Sequence, residues 1–313
     1  MSVRVREAAA ADVPGIRRLF ERTFGRPLSE EEWRWKFDQN PDGWFGTVVE
    51  DAGEVVGHYA GSGTRARVGG EETLVYAVGD VATDPRIRGL GRHVFREMTD
   101  AFYDAVDGRG IPYCFGFPGA RHLVISERFV GARVLFPIRE ARVPVDAFPP
   151  APPGARTGDF VGADFDAFWM RIRERIPEGP VRDRTRVNWR FHARPARYYR
   201  MVWTADRTGA MTGWVVLSIS GSRALVADHL FEPEGGAAYP AVLSAAAAEA
   251  RRLGASELAF WETPGGPGHS VISALPGGRH DAGFSMIARP LDDAAVRRLE
   301  SGGHVTPALY DMV

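Results

Sequence analysis

The chain has almost no lysine, a single cysteine and no long apolar run. Lys36 is the only lysine among 39 basic residues, and Cys114 is the only cysteine in 313 residues. One cysteine excludes an internal disulfide, so stability has to come from a buried core. No apolar stretch approaches the ~20 residues that span a bilayer, and no membrane partner is expected. The opening Met1-Ser2-Val3-Arg4-Val5-Arg6-Glu7 lacks the apolar core of a signal peptide, so a cytoplasmic location is expected. A formal net charge of -1 is not the basic excess of a general nucleic-acid binder, and no nucleic-acid partner is expected. The eight histidines lack ligand spacings such as His-x-x-x-His with an acid, so no metal site is expected. Replacement of lysine by arginine beside abundant Ala and Gly reads as the coding bias of a GC-rich genome. Nothing in these terms sets an oligomeric state.

What is present is ordinary for a globular chain: 44% hydrophobic and 25% charged residues, at a length that suits two domains of roughly 150 residues. After an opening strand, Asp12 is placed to cap a short helix with Pro14 in its first turn and Ile16, Leu19 and Phe20 on one face. Ser29 and Glu32 have capping-box spacing before a second helix that runs to Phe37. Residues 45–51 and 54–61 read as a hairpin turned at Ala52-Gly53, and 72–83 as a further strand. Val94, Phe95, Met98, Phe102 and Val106 recur at helical spacing over 91–106. A strand over 112–117, a helix over 120–129 and a strand over 133–143 follow.

The run Phe148-Pro149-Pro150-Ala151-Pro152-Pro153-Gly154 cannot continue a helix or a sheet interior, because proline has no N–H and restricts its predecessor. It reads as an interdomain linker, 148–156, between domains over 1–147 and 157–313. Beyond it the order of elements recurs. Trp35-Lys36-Phe37 reaches Pro41, and Trp189-Arg190-Phe191 reaches Pro195 at the same spacing. A hairpin over 198–205 and 211–220, a strand over 223–231, a helix over 239–253, a strand over 257–261 and a last strand after Gly283-Phe284 complete a second copy. The fold expected is a duplicated α+β unit with mixed sheets.

The informative segment is Asp80-Val81-Ala82-Thr83-Asp84-Pro85-Arg86-Ile87-Arg88-Gly89-Leu90-Gly91-Arg92-His93. Glycines at a helix start let phosphates approach the backbone, where the first N–H groups lack helical partners and the dipole favours negative charge. Arg88 and Arg92 can add charge-assisted bonds to a diphosphate. A plain strand–turn–helix connection is the other reading of the same glycines.

The segment resembles the GNAT N-acetyltransferases, whose Arg/Gln-x-x-Gly-x-Gly/Ala signature follows the fourth strand, with a proline three residues before the Arg or Gln. Pro85 and Arg88-Gly89-Leu90-Gly91-Arg92-His93 take that register, and Val81-Ala82-Thr83-x-Pro85 is similar to the enhanced-intracellular-survival type. The departure is His93, where Gly or Ala is usual. A register from Arg86 to Gly91 fits the bare pattern but misplaces Pro85. The resemblance covers about 30 to 144 in element order. It implies two tandem GNAT-like domains, acetyl-CoA as cosubstrate, and cofactor contacts at Val81, Ala82, Thr83, Arg88, Gly89, Leu90, Gly91, Arg92 and His93. In the family the splayed end of the fourth strand pairs with pantetheine, so the Val81 N–H would polarise the thioester carbonyl.

An amine acceptor needs a base, and the leaving thiolate needs an acid. Asp80, beside the splay, is the candidate base; a carboxylate satisfied by local bonds is its other reading. The family's tyrosine acid falls on Glu127 here, which is either a surface helix residue or a substrate-side carboxylate. Tyr59, Tyr76 and Tyr113 are alternative phenols. The terminal carboxylate, here Val313, serves as base in the enhanced-intracellular-survival type. Trp33, Trp35, Trp44 and Phe45 either line an acceptor pocket or pack the core. Cys114, in an apolar strand without a neighbouring base, argues for direct transfer without a covalent intermediate. The second copy carries Glu234-Gly235-Gly236 after Pro233, acids that oppose a diphosphate, and is expected to be cofactor-free. The resemblance thus implies an N-acetyltransferase acting on a small-molecule amine. Transfer to a protein or peptide amine, a longer acyl donor, or a CoA-binding regulatory protein without turnover remain the alternatives.

Overall fold

The computed structural model describes residues 3–26, 28–86, 92–232 and 236–310. Its contacts divide the chain into two compact units. Unit 1 holds residues up to Arg65, Thr73–Leu135 and Ser285–Val296; unit 2 holds Ala66–Glu72, Phe136–Phe284 and residues from Arg297 onward.

Unit 1 is built from β1 (Val3–Glu7), α1 (Val13–Phe24), α2 (Glu30–Trp33), β2 (Trp44–Asp51), β3 (Glu54–Val68), β4 (Glu71–Thr83), α3 (Arg92–Asp107), β5 (Tyr113–Gly116), α4 (Ala120–Ile125) and the start of β6 (Arg133–Pro144). The capping box forms as the spacing predicts: the Ser29 hydroxyl accepts from the Glu32 N–H at 3.0 Å, and the Glu32 carboxylate accepts from the Ser29 N–H at 3.3 Å. Asp12 does not cap α1. Its carboxylate accepts from the Ala9 N–H and pairs with Arg6, closing the tight turn ahead of the helix instead. Gly25, at φ 70, ends α1 in the left-handed conformation that glycine adopts without strain.

Side chains alternate across the sheet with the period of two that a strand imposes. Val48, Val55 and Ala82 face Ile16, Leu19, Phe20, Trp33 and Phe37. Their neighbours Val49, Val56 and Val81 face Met98, Phe102 and Val106 of α3. A helix layer thus covers each face, and burying a side chain such as Phe102 contributes about 2–3 kcal/mol.

Unit 2 continues with β7 (Arg156–Gly158), α5 (Ala163–Ile172), β8 (Gly179–Pro180), α6 (Arg184–Val187), β9 (Tyr199–Ala205), β10 (Met211–Ser220), β11 (Arg223–Phe231), α7 (Ala238–Arg252), β12 (Glu257–Glu262), α8 (His269–Ala274), β13 (Gly278–Pro290) and α9 (Asp293–Gly302). The duplication is visible in detail. The α2 helix runs into a π-helical turn, Arg34–Asp38, and α6 into another, Asn188–His192, with Lys36 and Arg190 at the third position of each. Asp183 caps α6 through the Arg186 N–H, as Ser29 caps α2. The two halves are tandem copies of one mixed α/β fold.

The units do not part at the proline run. β6 passes from unit 1 into unit 2, where it pairs antiparallel with β12, and the end of β13 belongs to unit 1, where Ile287–Pro290 pair antiparallel with Gly116–Tyr113 of β5. Residues 148–156 lie inside unit 2: Phe148 packs on its core, and β7, which begins at Arg156, pairs with β9. Proline excludes a sheet interior, but it does not by itself mark where contacts are few. Among the described residues no helix is long and apolar enough to cross a membrane.

Candidate functional site

In unit 1, β4 and β5 are parallel and pair only at Tyr76–Cys114 and Ala77–Phe115. β4 then runs on to Thr83 without that neighbour, so the two strands part. Asp80 lies on this free stretch at φ 53, a left-handed conformation unusual for a residue with a side chain. The bend is held from β3, where the His58 Nδ1–H donates to the Asp80 carbonyl at 2.9 Å. A carbonyl oxygen only accepts, so the proton is on Nδ1 and the lone pair on Nε2. Burial pushes the His58 pKa down, which keeps this ring neutral.

The Asp80 carboxylate forms an ion pair with Lys36, presented by the π-helical turn after α2. Lys36 is buried, whereas the Asp80 side chain keeps 19% of its surface open. Val81 packs toward α3, Ala82 is buried against α1 and α2, and Thr83 is half-buried. The strand end is fixed by Asp84, whose carboxylate accepts from Arg22, from the Arg86 N–H and from the Arg86 side chain. These bonds, the Arg86 side chain first, hold its pKa down at about 2. Arg86 is also engaged by Glu54, at 2.9 Å. Two carboxylates therefore occupy the guanidinium that the alternative signature register would assign to a diphosphate.

Arg88, Gly89, Leu90 and Gly91 lie outside the described residues. The backbone of Arg92 opens α3, and His93 at its second position is exposed. Glu127 is exposed on a π-helical turn, Ser126–Val130, and among the described residues no hydrogen bond or ion pair joins it to Asp80. The alternative phenols are all buried. Tyr59 bonds Tyr103 hydroxyl to hydroxyl at 2.8 Å, and burial raises its pKa, which makes it a poor proton donor. Burial pushes the Cys114 thiol up to about 12, so a resident thiolate nucleophile is not on offer. Trp33, Trp35, Phe37 and Phe45 are core residues; the Trp33 ring lies 4.3 Å from Phe37 and 5.5 Å from Trp44. Val313 lies outside the described residues.

Sequence reasoning missed Lys36 and His58. Lys36 was visible as the only lysine and as the middle of the repeated Trp-basic-Phe motif, but its partner was not.

Unit 2 repeats the parting of strands. β11 pairs in parallel with β12 only over Arg223–Leu225 and Glu257–Ala259. Asp228 stands five residues before Pro233, as Asp80 stands five before Pro85. It is buried and accepts from Arg182 Nε at 2.9 Å and from the Thr306 hydroxyl at 2.9 Å. The segment carrying Thr306 also accepts, through the Val305 carbonyl, from Thr263 just after β12 at 2.7 Å. The opening between β11 and β12 is thus bridged by the chain's own residues. Unit 2 also has a cavity of ≈ 370 Å³ lined by Phe148, Pro240, Leu243, Val271 and Leu275, with Ser244 and Ser270. No ionisable side chain lines it.

Residues 4–129 match the family model described as acetyltransferase (GNAT) domain. No curated protein sequence matches the chain. Among solved structures, the chain is similar to a GCN5-related N-acetyltransferase from Anabaena variabilis at 11% identity and TM-score 0.69, covering 93% of this chain and 73% of that one. It is similar to Eis1 from Mycobacterium abscessus at 17% identity and TM-score 0.59, covering 93% and 74%. It is also similar to a tandem GNAT protein from the clavulanic acid biosynthesis pathway at 15% identity and TM-score 0.55, covering 93% and 99%. At these identities the likeness is one of fold.

Proposed function

We propose, from the match of residues 4–129 to the acetyltransferase (GNAT) domain model, that unit 1 binds acetyl-CoA and that the protein transfers its acetyl group by direct attack to the amine of a small molecule. The observation that carries this reading is the parting of β4 from β5 beyond Ala77, with Asp80 in a left-handed bend beside it. An unpaired strand edge is a place for an amide-containing chain to lie. Val81, Ala82 and Thr83 supply that edge, and the sequence Arg88 to His93 is assigned the diphosphate. Acetyl-CoA supplies an activated thioester.

Asp80 takes the proton of the incoming ammonium, directly or through water, and its open flank admits the amine. The Val81 N–H steadies the oxyanion. Glu127 is the substrate-side carboxylate in this scheme. Unit 2, with acids in place of arginine after β11 and its strand opening bridged, serves as a cofactor-free partner. The setting is cytoplasmic, with neither nucleic acid nor membrane involved.

The Lys36–Asp80 pair favours one second reading, a CoA-binding protein without turnover, because it occupies the base. Thiol release from acetyl-CoA across a panel of amines separates the two. The wild type should release thiol with at least one amine, and Gly89→Glu, which puts a carboxylate into the anion site, should not. Tight acetyl-CoA binding with no thiol release for any amine would overturn the transferase reading.

A further inference from the structure

Lys36 is the chain's only primary-amine side chain, and it pairs with Asp80, the base of the proposed transfer. A chain that uses arginine at every other basic position keeps lysine here. The counterpart in unit 2, Arg190, occupies the same third position of the same π-helical turn, and there the guanidinium donates to the Ala308 and Tyr310 carbonyls at 2.8 and 3.0 Å. That is a structural use, and a fork of donors suits it. Lys36 is directed instead at the Asp80 carboxylate. An ammonium can give up a proton and become a nucleophile, which a guanidinium cannot do at ordinary pH.

The amine is therefore already in contact with a base. That base is the residue before Val81, on the strand edge assigned to the acyl donor. The pair is open on one flank, since Asp80 keeps 19% of its side-chain surface exposed while Lys36 keeps 9%. The contact reproduces what the transfer needs of an external acceptor, with this chain's own nitrogen in the acceptor's place.

We propose that Lys36 is a self-acylation site, acetylated in cis by acetyl-CoA bound to unit 1. Asp80 accepts a proton from the Lys36 ammonium, and the freed Nζ attacks the thioester carbonyl. The Nζ–C bond forms, the C–S bond breaks, and CoA leaves as the thiolate, which takes up a proton. Of the two protons left on Nζ one stays as the amide N–H and one passes to solvent, while Asp80 gives up its proton to the thiolate and returns to the carboxylate. The product amide is neutral, so acetylation also removes the cation from Asp80 and leaves that carboxylate for an external amine. This rests on the reading that unit 1 binds acetyl-CoA.

The test uses the full chain with acetyl-CoA and no amine, followed by intact mass and peptide mapping, with calorimetry on the same sample to measure acetyl-CoA binding. One acetyl increment on Lys36 is expected, at a first-order rate independent of protein concentration and absent from the urea-unfolded chain. Asp80→Asn should slow it by about 100-fold, in line with the loss of a general base, and Lys36→Arg should abolish it. If acetyl-CoA binds but Lys36 stays unmodified, or only the N-terminal amine is acetylated, or the unfolded chain reacts equally fast, self-acylation is overturned while the transferase reading stands. If calorimetry finds no acetyl-CoA binding, both fall.

Discussion

The two units place a carboxylate at the same point of the same strand and treat it in opposite ways. In unit 1, Asp80 lies at a left-handed bend within β4, pairs with a lysine and keeps a flank open. In unit 2, Asp228 lies nearly sealed between Arg182 and Thr306, and the chain bridges the parted strands with its own residues around Val305. A duplicated fold thus keeps its skeleton while one copy, on the function proposed above, offers the strand opening to a ligand and the other fills it with structure. What separates the two acids is exposure, because a carboxylate sealed among its partners has no lone pair left for a substrate, whereas Asp80 keeps 19% of its side-chain surface open.

The comparison breaks most sharply at the two cations. Arg182→Met should cost about 3–5 kcal/mol of unfolding free energy in urea, since it strands a buried carboxylate whose charge the neutral Thr306 hydroxyl and His229 N–H cannot balance. Lys36→Met should cost clearly less, because Asp80 can draw water through its open flank. Equal losses would mean that the Asp80 pair is as structural as its counterpart.

Acid should sharpen the same contrast. Burial depresses the pKa of His229 to about 4 and that of His304 well below its usual value, with Arg182 pushing both the same way. Their rings lie 4.8 Å apart, so charging both would set two cations side by side in the folded unit. A histidine whose folded pKa is depressed binds its proton more readily when unfolded. Stability is then full above the unfolded pKa near 6.5 and falls as pH drops toward 4, by up to about 1.4 kcal/mol per pH unit for each such group. Glu178, whose pKa burial raises, works in the opposite sense. Unit 1 has one such ring, His58. Unit 2 should open first, seen as protease cleavage within residues 199–262 between pH 6.5 and 4 before cleavage within 44–116. His304→Gln should move that onset to lower pH, and an unmoved onset would remove His304 from the account.

Most of the skeleton was legible in the sequence because it rests on local rules. The Ser29–Glu32 box, the alternation of Val48-Val49 and Val55-Val56, and the helical spacing from Val94 to Val106 each fix an element without reference to distant residues. The strand exchange was not legible, since nothing in β6 or β13 says which copy of the preceding strand each will join. Asp80 was legible as a candidate from its place beside Val81. Its partners were not, because Lys36 and His58 reach it across 44 and 22 residues of chain through a π-helical turn and a left-handed bend that no pattern announces. Arg86 shows the converse: its register could be argued from Pro85, but only Asp84 and Glu54 show that its guanidinium is already engaged.

The smallest expected effect tests whether the duplication extends to energetics. Ser29 and Asp183 each cap a four-residue helix that runs into a π-helical turn, with cap distances of 3.0 and 2.8 Å. Replacing either by alanine removes one acceptor for an otherwise unpaired helix N–H and should cost about 1 kcal/mol in urea unfolding. The Asp183 change should cost slightly more, because a carboxylate also meets the positive end of the helix dipole, whereas in unit 1 that charge comes from Glu32 and survives the Ser29 change. Added salt should therefore shrink the Asp183→Ala effect and leave the Ser29→Ala effect nearly unchanged. Salt-independent losses at both positions would mean that the two caps act through hydrogen bonding alone and that the copies are energetically the same at this point.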